Sequence, residues 1–213
     1  FLTIGWLKNP ERRNLDILQE VQQSRLSIRL DFILLLLMSL VIQLAVTLFE
    51  TVFSVYAKDV LTFTTSQIGL GFMLCGLIMA ALQPLFASLD EKKLSINTQL
   101  FIGFAIASLA MFAFSFWTHN LFVYAMIIVF AVGGAMVTPN LIAMISFIDK
   151  NHTGADLSLQ TSVNSIGQVL GPILGIWWYT YGKSWPFLII GMVLLLITVL
   201  VVPRLKSAST KQK

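Results

Sequence analysis

The sequence predicts an all-α integral membrane protein, a six-transmembrane-helix bundle, on three observations. Of its 213 residues, 57% are apolar and only 11% charged, where soluble domains carry about 25% charged residues. The apolar residues gather into nearly charge-free blocks of about 18–26 residues, each able to cross a hydrocarbon core of about 30 Å as a helix. The charges also alternate from one connection to the next. A soluble globular domain is excluded by the first two observations, and the third gives the chain an orientation.

Apolar runs bounded by polar clusters place the spans near Phe32–Tyr56, Thr65–Leu89, Ser95–Trp117, Leu121–Ile148, Asp156–Tyr181 and Trp185–Pro203. One set of connections holds Lys8, Arg12, Arg13, Arg25, Arg29, Lys92, Lys93, Lys150, Arg204, Lys206, Lys211 and Lys213, and the other set only Lys58 and Lys183. Positive loops stay in the cytoplasm. Both termini are therefore expected there, which independently requires an even number of spans in a multi-pass protein of the cell membrane. The same distribution accounts for the formal net charge of +4 as a topology signal, and no nucleic-acid partner is expected. Cys75 is a lone cysteine within an apolar block, so it has no internal disulfide partner.

Before the first span, Phe1–Leu7 is apolar but too short to cross, and it is followed at once by Lys8, Pro10 and Arg12. It reads as the cytoplasmic end of a preceding helix, and not as a secretory signal, whose basic residues would come first. Over Asn14–Ile28, Leu15, Leu18, Val21 and Ile28 recur among Asp16, Glu20 and Arg25. An amphipathic helix on the membrane surface and a solvated linker both fit. The chain is thus divided into a helix end and linker (1–31), the six-helix bundle (32–203) and a cytoplasmic tail (204–213).

Glu50 is the most informative polar residue. It lies about 9 Å outward from the middle of the first span at about 1.5 Å per residue, inside the hydrocarbon, where a carboxylate is costly unless protonated, paired or facing water. Ser39, Gln43, Thr47, Glu50 and Ser54 follow at intervals of four, four, three and four residues. At about 100° per residue they form a stripe about 80° wide, a face that lines a cavity or another helix. Two readings stand: a surface acid that snorkels or pairs with Lys58, and a proton-exchanging group that faces substrate.

The fifth span repeats glycine every four residues at Gly167, Gly171 and Gly175, which permits close helix packing, and Pro172 permits a bend. Beside them Thr161, Asn164, Ser165 and Gln168 form a polar strip, with Asn164 and Gln168 as candidate cavity-lining residues. Gly69, Gly76, Ala80 and Gln83 share a face of the second span that suits packing. Gly133, Gly134, Thr138, Pro139 and Asn140 make the fourth span breakable or kinked near its middle. Trp117, Trp178, Trp185 and Tyr56 suit an aromatic belt at the outer boundary. Phe49 and Phe53 flank the Glu50 stripe and could meet an apolar ligand or lipid.

Three short motifs carry no chemistry. Gly182-Lys183-Ser184 resembles the end of a phosphate-binding loop, but the first glycine of that loop would fall on Trp177. Asn151-His152-Thr153 is a glycosylation acceptor on the wrong side of the membrane. His119 and His152 lie in loops on opposite faces and cannot share a metal. No nucleophile, base and orienting acid converge, so neither an enzyme nor a cofactor is expected.

Leu48-Phe49-Glu50-Thr51-Val52-Phe53-Ser54-Val55-Tyr56 with Gln67-Ile68-Gly69, and the run from Ser165 to Gly175, resemble helices seven, eight and eleven of major facilitator drug:proton antiporters. The likeness is to the quinolone and multidrug efflux pumps of Gram-positive bacteria. It implies that the chain is the C-terminal half of a twelve-helix fold whose partner is an N-terminal six-helix half, set in membrane lipid. It further implies alternating access, export of amphipathic and often cationic drugs in exchange for protons, and antibiotic resistance. Glu50 would be the proton-coupling and substrate residue. Gln43, Thr47, Phe53, Asn140, Asn164 and Gln168 are, by their own positions on the spans, the candidates to line the cavity. This sequence departs from those pumps at Ala135, where they can carry a further acid, and at residues 87–93, which keep only the charge of the superfamily's glycine-rich loop motif. A proton-coupled uptake symporter for a small solute is the alternative. A six-helix channel or an ABC-type membrane domain is less well supported, because the loops are too short for an ATPase to grip.

Overall fold

The structure, a computed structural model, describes the backbone of residues 10–88, 94–116, 119–148 and 152–209, and side chains between residues 30 and 205 within these. The expectations for Phe1–Leu7, the 89–93 loop, Trp117 and Asn151 fall outside these residues. The helices are α1 (Pro10–Asp59), α2 (Thr65–Ala87), α3 (Ile96–Phe114), α4 (Asn120–Ile148), α5 (Thr153–Tyr181), α6 (Trp185–Leu196) and α7 (Val202–Ser209), with a π-helical turn at Ile197–Val201 joining the last two.

Local chemistry marks the helix ends. Thr64 caps α2 in a reciprocal box: its hydroxyl accepts from the Gln67 N–H, and the Gln67 side chain accepts from the Thr64 N–H at 2.8 Å. Ser95 caps α3 by accepting from the Thr98 N–H. No such signal stands between residues 31 and 32, and α1 runs unbroken for 50 residues, about 75 Å at the usual rise. The boundary drawn there between linker and bundle is not a break in the helix.

Among the described residues, five segments are long and apolar enough to cross a membrane: Leu30–Asp59, Thr65–Ala87, Ile96–Phe114, Asn120–Ile148 and Trp185–Leu205. The sixth expected span, α5, has 29 residues, which is ample length. Gln160, Thr161, Asn164, Ser165 and Gln168 dilute its apolar character below that of the other five.

The helices are arranged so that α1 packs on α5, α4 on both α3 and α2, and α3 on α6. At the heart lie rings from four of them. Phe49 stands 4.9 Å from Phe130 and 5.3 Å from Phe53, and Phe114 stands 5.5 Å from Phe187. These offset and tilted pairs suit the ring quadrupoles. Phe53 is fully buried among them, so it belongs to the core and does not line a cavity. Tyr56 is also buried, against Phe187 at 5.4 Å, and does not join an aromatic belt.

Helix α4 is continuous through its glycines and Pro139, so of the two readings, a break and a kink, the break does not occur. The Thr138 hydroxyl donates to the Gly134 carbonyl at 3.0 Å, and the Asn140 amide donates to Met136 at 2.7 Å. Both donors bond to carbonyls that flank that of Ala135, whose own helical N–H partner is missing because Pro139 has none. Gly133 serves close approach instead. A Cβ there would lie 2.8 Å from the Ala107 nitrogen and the Gly103 carbonyl of α3.

Candidate functional site

The polar stripe of α1 and the polar and glycine strips of α5 come together along one seam. Helix α5 turns its glycines to α1. A Cβ at Gly167 would lie 3.0 Å from the Leu40 carbonyl, one at Gly171 would strike the Thr47 hydroxyl and lie 2.9 Å from the Leu48 nitrogen, and one at Gly175 would lie 2.7 Å from Val52 Cγ2. Pro172 sits half-buried beside them. Without an aqueous solvent to drive association, helix contact in lipid rests on such backbone proximity and on hydrogen bonds between helices. Thr47 supplies one of these bonds, donating to the Gly167 carbonyl at 3.2 Å.

Further along the seam the side chains bond to one another. The Ser39 hydroxyl donates to Asn164 Oδ1 at 2.7 Å and accepts from Gln160 Nε2 at 3.0 Å. Gln160 did not stand out as a site residue in the sequence, although it precedes Asn164 by four residues and shares its face. Beside this triad a cavity of about 260 Å³ opens between α1, α4 and α5. Gln43 and Asn164 line it, joined by Ser39, Thr138, Gln160 and Thr161.

The other expected cavity residues lie elsewhere. Asn140 is buried between α3 and α4, where its amide donates to Gln99 Oε1 at 2.9 Å. That contact seals a helix interface, so Asn140 does not line the cavity. Thr47 is in the seam, and Gln168 is exposed on α5 one turn beyond Asn164, outside the lining of this cavity.

Glu50 is exposed one turn beyond Thr47. Lys58 is two turns away, and Glu50 forms neither an ion pair nor a side-chain hydrogen bond with it or with any other described residue. Its carboxylate is on the exposed side of α1.

That open side continues over α2 and α5. Of the residues of α2 only Gly71 is buried, where a Cβ would meet Ile127 at 3.1 Å and Phe53 at 3.2 Å. Added Cβ atoms at Gly69 and Gly76 would meet nothing within 4 Å, so the face read as packing is unpacked within this chain, and the packing register runs through Gly71. Helix α5 likewise buries only Gln160 and its three seam glycines, leaving Ile166, Val169, Ile173 and Trp177 exposed. Among the described residues no cluster of histidine, cysteine and acidic side chains could hold a metal.

The family model of the Major Facilitator Superfamily matches residues 2–152 and 35–213 of the chain. No curated protein gives a significant match.

Proposed function

Since this chain belongs to the Major Facilitator Superfamily, a family of membrane transporters, we propose that it contributes to the export of amphipathic, often cationic, compounds in exchange for protons. The observation that carries the reading is Glu50. It is a carboxylate within an apolar span, exposed on the open side of the bundle and without a basic partner among the described residues. An intramembrane acid of that kind has two ways to escape the cost of its charge: to take up a proton, or to face a cation or water. Alternation between the two is proton-for-cation exchange.

In this reading the exposed faces of α2 and α5 meet a second six-helix unit. The central cavity lies between the two, in a cell membrane with both termini cytoplasmic, and the units rock about the site. Helices α3 and α6 hold the back of the bundle, and the aromatic core around Phe49 fixes the angle at which Glu50 leaves α1. No bound cofactor has a part in this cycle.

The test is uptake of tetraphenylphosphonium into everted vesicles that contain the full-length transporter, driven by an imposed pH gradient with the lumen acidic. Glu50→Gln keeps the shape and removes the titratable charge, and it should lower gradient-driven transport at least tenfold, with Glu50→Asp retaining part of it. Wild-type transport and wild-type dependence on the gradient in Glu50→Gln would refute the assignment.

A further inference from the structure

The cavity between α1, α4 and α5 is unlike the surroundings of Glu50. Its polar lining is Ser39, Gln43, Thr138, Gln160, Thr161 and Asn164, the remainder is aliphatic, and none of these residues ionises. Three carboxamides and three hydroxyls converge on a space of about 260 Å³. Part of their capacity is used within the protein: Ser39 links Gln160 to Asn164, Thr161 donates to the Leu157 carbonyl, and Thr138 donates to Gly134. What is left over is mixed. The Gln43 amide and the second half of the Asn164 amide offer N–H donors, while the threonine oxygens and Gln160 Oε1 offer acceptors.

Size and position narrow what can enter. Pockets that take a whole drug-sized ligand span about 300–1,000 Å³, so this one suits a single arm of a larger molecule. Gln43 and Glu50 are seven residues apart on α1, on nearly the same face and about 10 Å apart along the axis. A cationic centre at Glu50 and an arm in the cavity would therefore be about 10 Å apart.

We propose that the cavity is a neutral subsite that receives an uncharged arm bearing both a hydrogen-bond donor and an acceptor, such as a primary carboxamide, from a substrate whose cation sits at Glu50. The proposal rests on the reading of Glu50 given above and adds a second requirement to the substrate. Lone charges are rejected by the subsite, because nothing in its lining neutralises them and burying an unpaired charge is costly. Apolar arms are disfavoured, because they leave the carboxamides without partners.

Two phosphonium cations test this in the full-length transporter. One is a triphenylphosphonium whose methylene chain is long enough to bridge the about 10 Å between Glu50 and Gln43 along α1 and ends in a primary carboxamide. The other carries the same chain ending in methyl. Wild type should bind the carboxamide probe about tenfold more tightly, the gain from one or two neutral hydrogen bonds. Gln43→Leu and Thr161→Val should erase the preference by weakening the carboxamide probe, and should bind the methyl-ended probe no worse than wild type does, since fewer polar groups are left without partners. Thr161 is exposed on α5 and valine matches its shape, so that variant keeps the fold. Equal binding of the two probes by wild type, or variants that shift both probes alike or neither, would overturn the subsite. Glu50→Gln should weaken both probes by the same factor. If it weakens neither while the preference still depends on Gln43 and Thr161, the cation reading fails and the neutral subsite stands. Failure of wild type to bind either probe sinks both.

Discussion

Asn140 shows how much one polar residue can decide away from water. Its amide reaches from α4 to Gln99 on α3 while also donating to its own helix, and Gln99 in turn donates to the Leu94 carbonyl at 3.1 Å. Asn140→Leu leaves the buried Gln99 oxygen without its donor and should cost about 1–3 kcal/mol, read from thermal unfolding in detergent. In the double variant Asn140→Leu, Gln99→Leu both partners are gone, and the loss should be smaller than the sum of the single losses. The polarity of Asn140 was plain from the sequence, but its direction was not, because residues near a proline can turn to a cavity or to a neighbour. The same limit applies to Phe53, whose 3.6-residue register allowed lipid, ligand or core. Its burial depends on rings from α2 and α3, Phe72 and Phe114, that lie about twenty and sixty residues on in the chain.

At the scale of the helix, glycine is the case where sequence and contact part company. Gly76 and Gly171 both stand in small-residue patterns, yet one faces open space and the other the backbone of α1. Gly171→Ala should push α5 off Leu44 and Leu48 at a cost of about 1–3 kcal/mol, visible as a lower midpoint of thermal unfolding and less folded protein. Gly76→Ala should leave both unchanged in this chain. Similar losses for the two variants would contradict the seam. A spacing of four on α5 identified a packing face because three glycines repeated it, whereas the pair on α2 marked only a small-residue face. Gly103 and Gly133, which bring α3 and α4 into contact, share no repeat, and nothing short of the tertiary arrangement pairs them.

For the whole molecule, the pattern of apolar blocks and basic connections was enough to define an all-helical membrane bundle, since hydropathy and length are set by the bilayer and not by partners. Which helices lie inside the bundle and which on its flank is a matter of contacts, and hydropathy is nearly silent on it: α2 is apolar yet almost wholly unburied. Helix α5 is the exposed test of the six-span arrangement, being long but diluted by amides. In a Cys75→Ala background of the full-length protein, a cysteine at Lys183 should react with an impermeant maleimide from outside intact cells, and one at Gly154 only after permeabilisation. Reaction of both from the same side would show that α5 does not cross. The seam between α1 and α5 also bears on motion. A helix seated on side chains can roll by exchanging rotamers, but α5 rests on backbone, and turning it by one residue, about 100°, would drive a side chain into α1. The joint is keyed. Rotation of α5 about its own axis is a lost degree of freedom, so the two helices swing as one lever and shape change is taken up along their unkeyed sides. Spin labels at the exposed positions Leu37 and Ile173 should accordingly keep one distance distribution at pH 5 and pH 8, with and without a transported cation, and a second population would mean that the key slips.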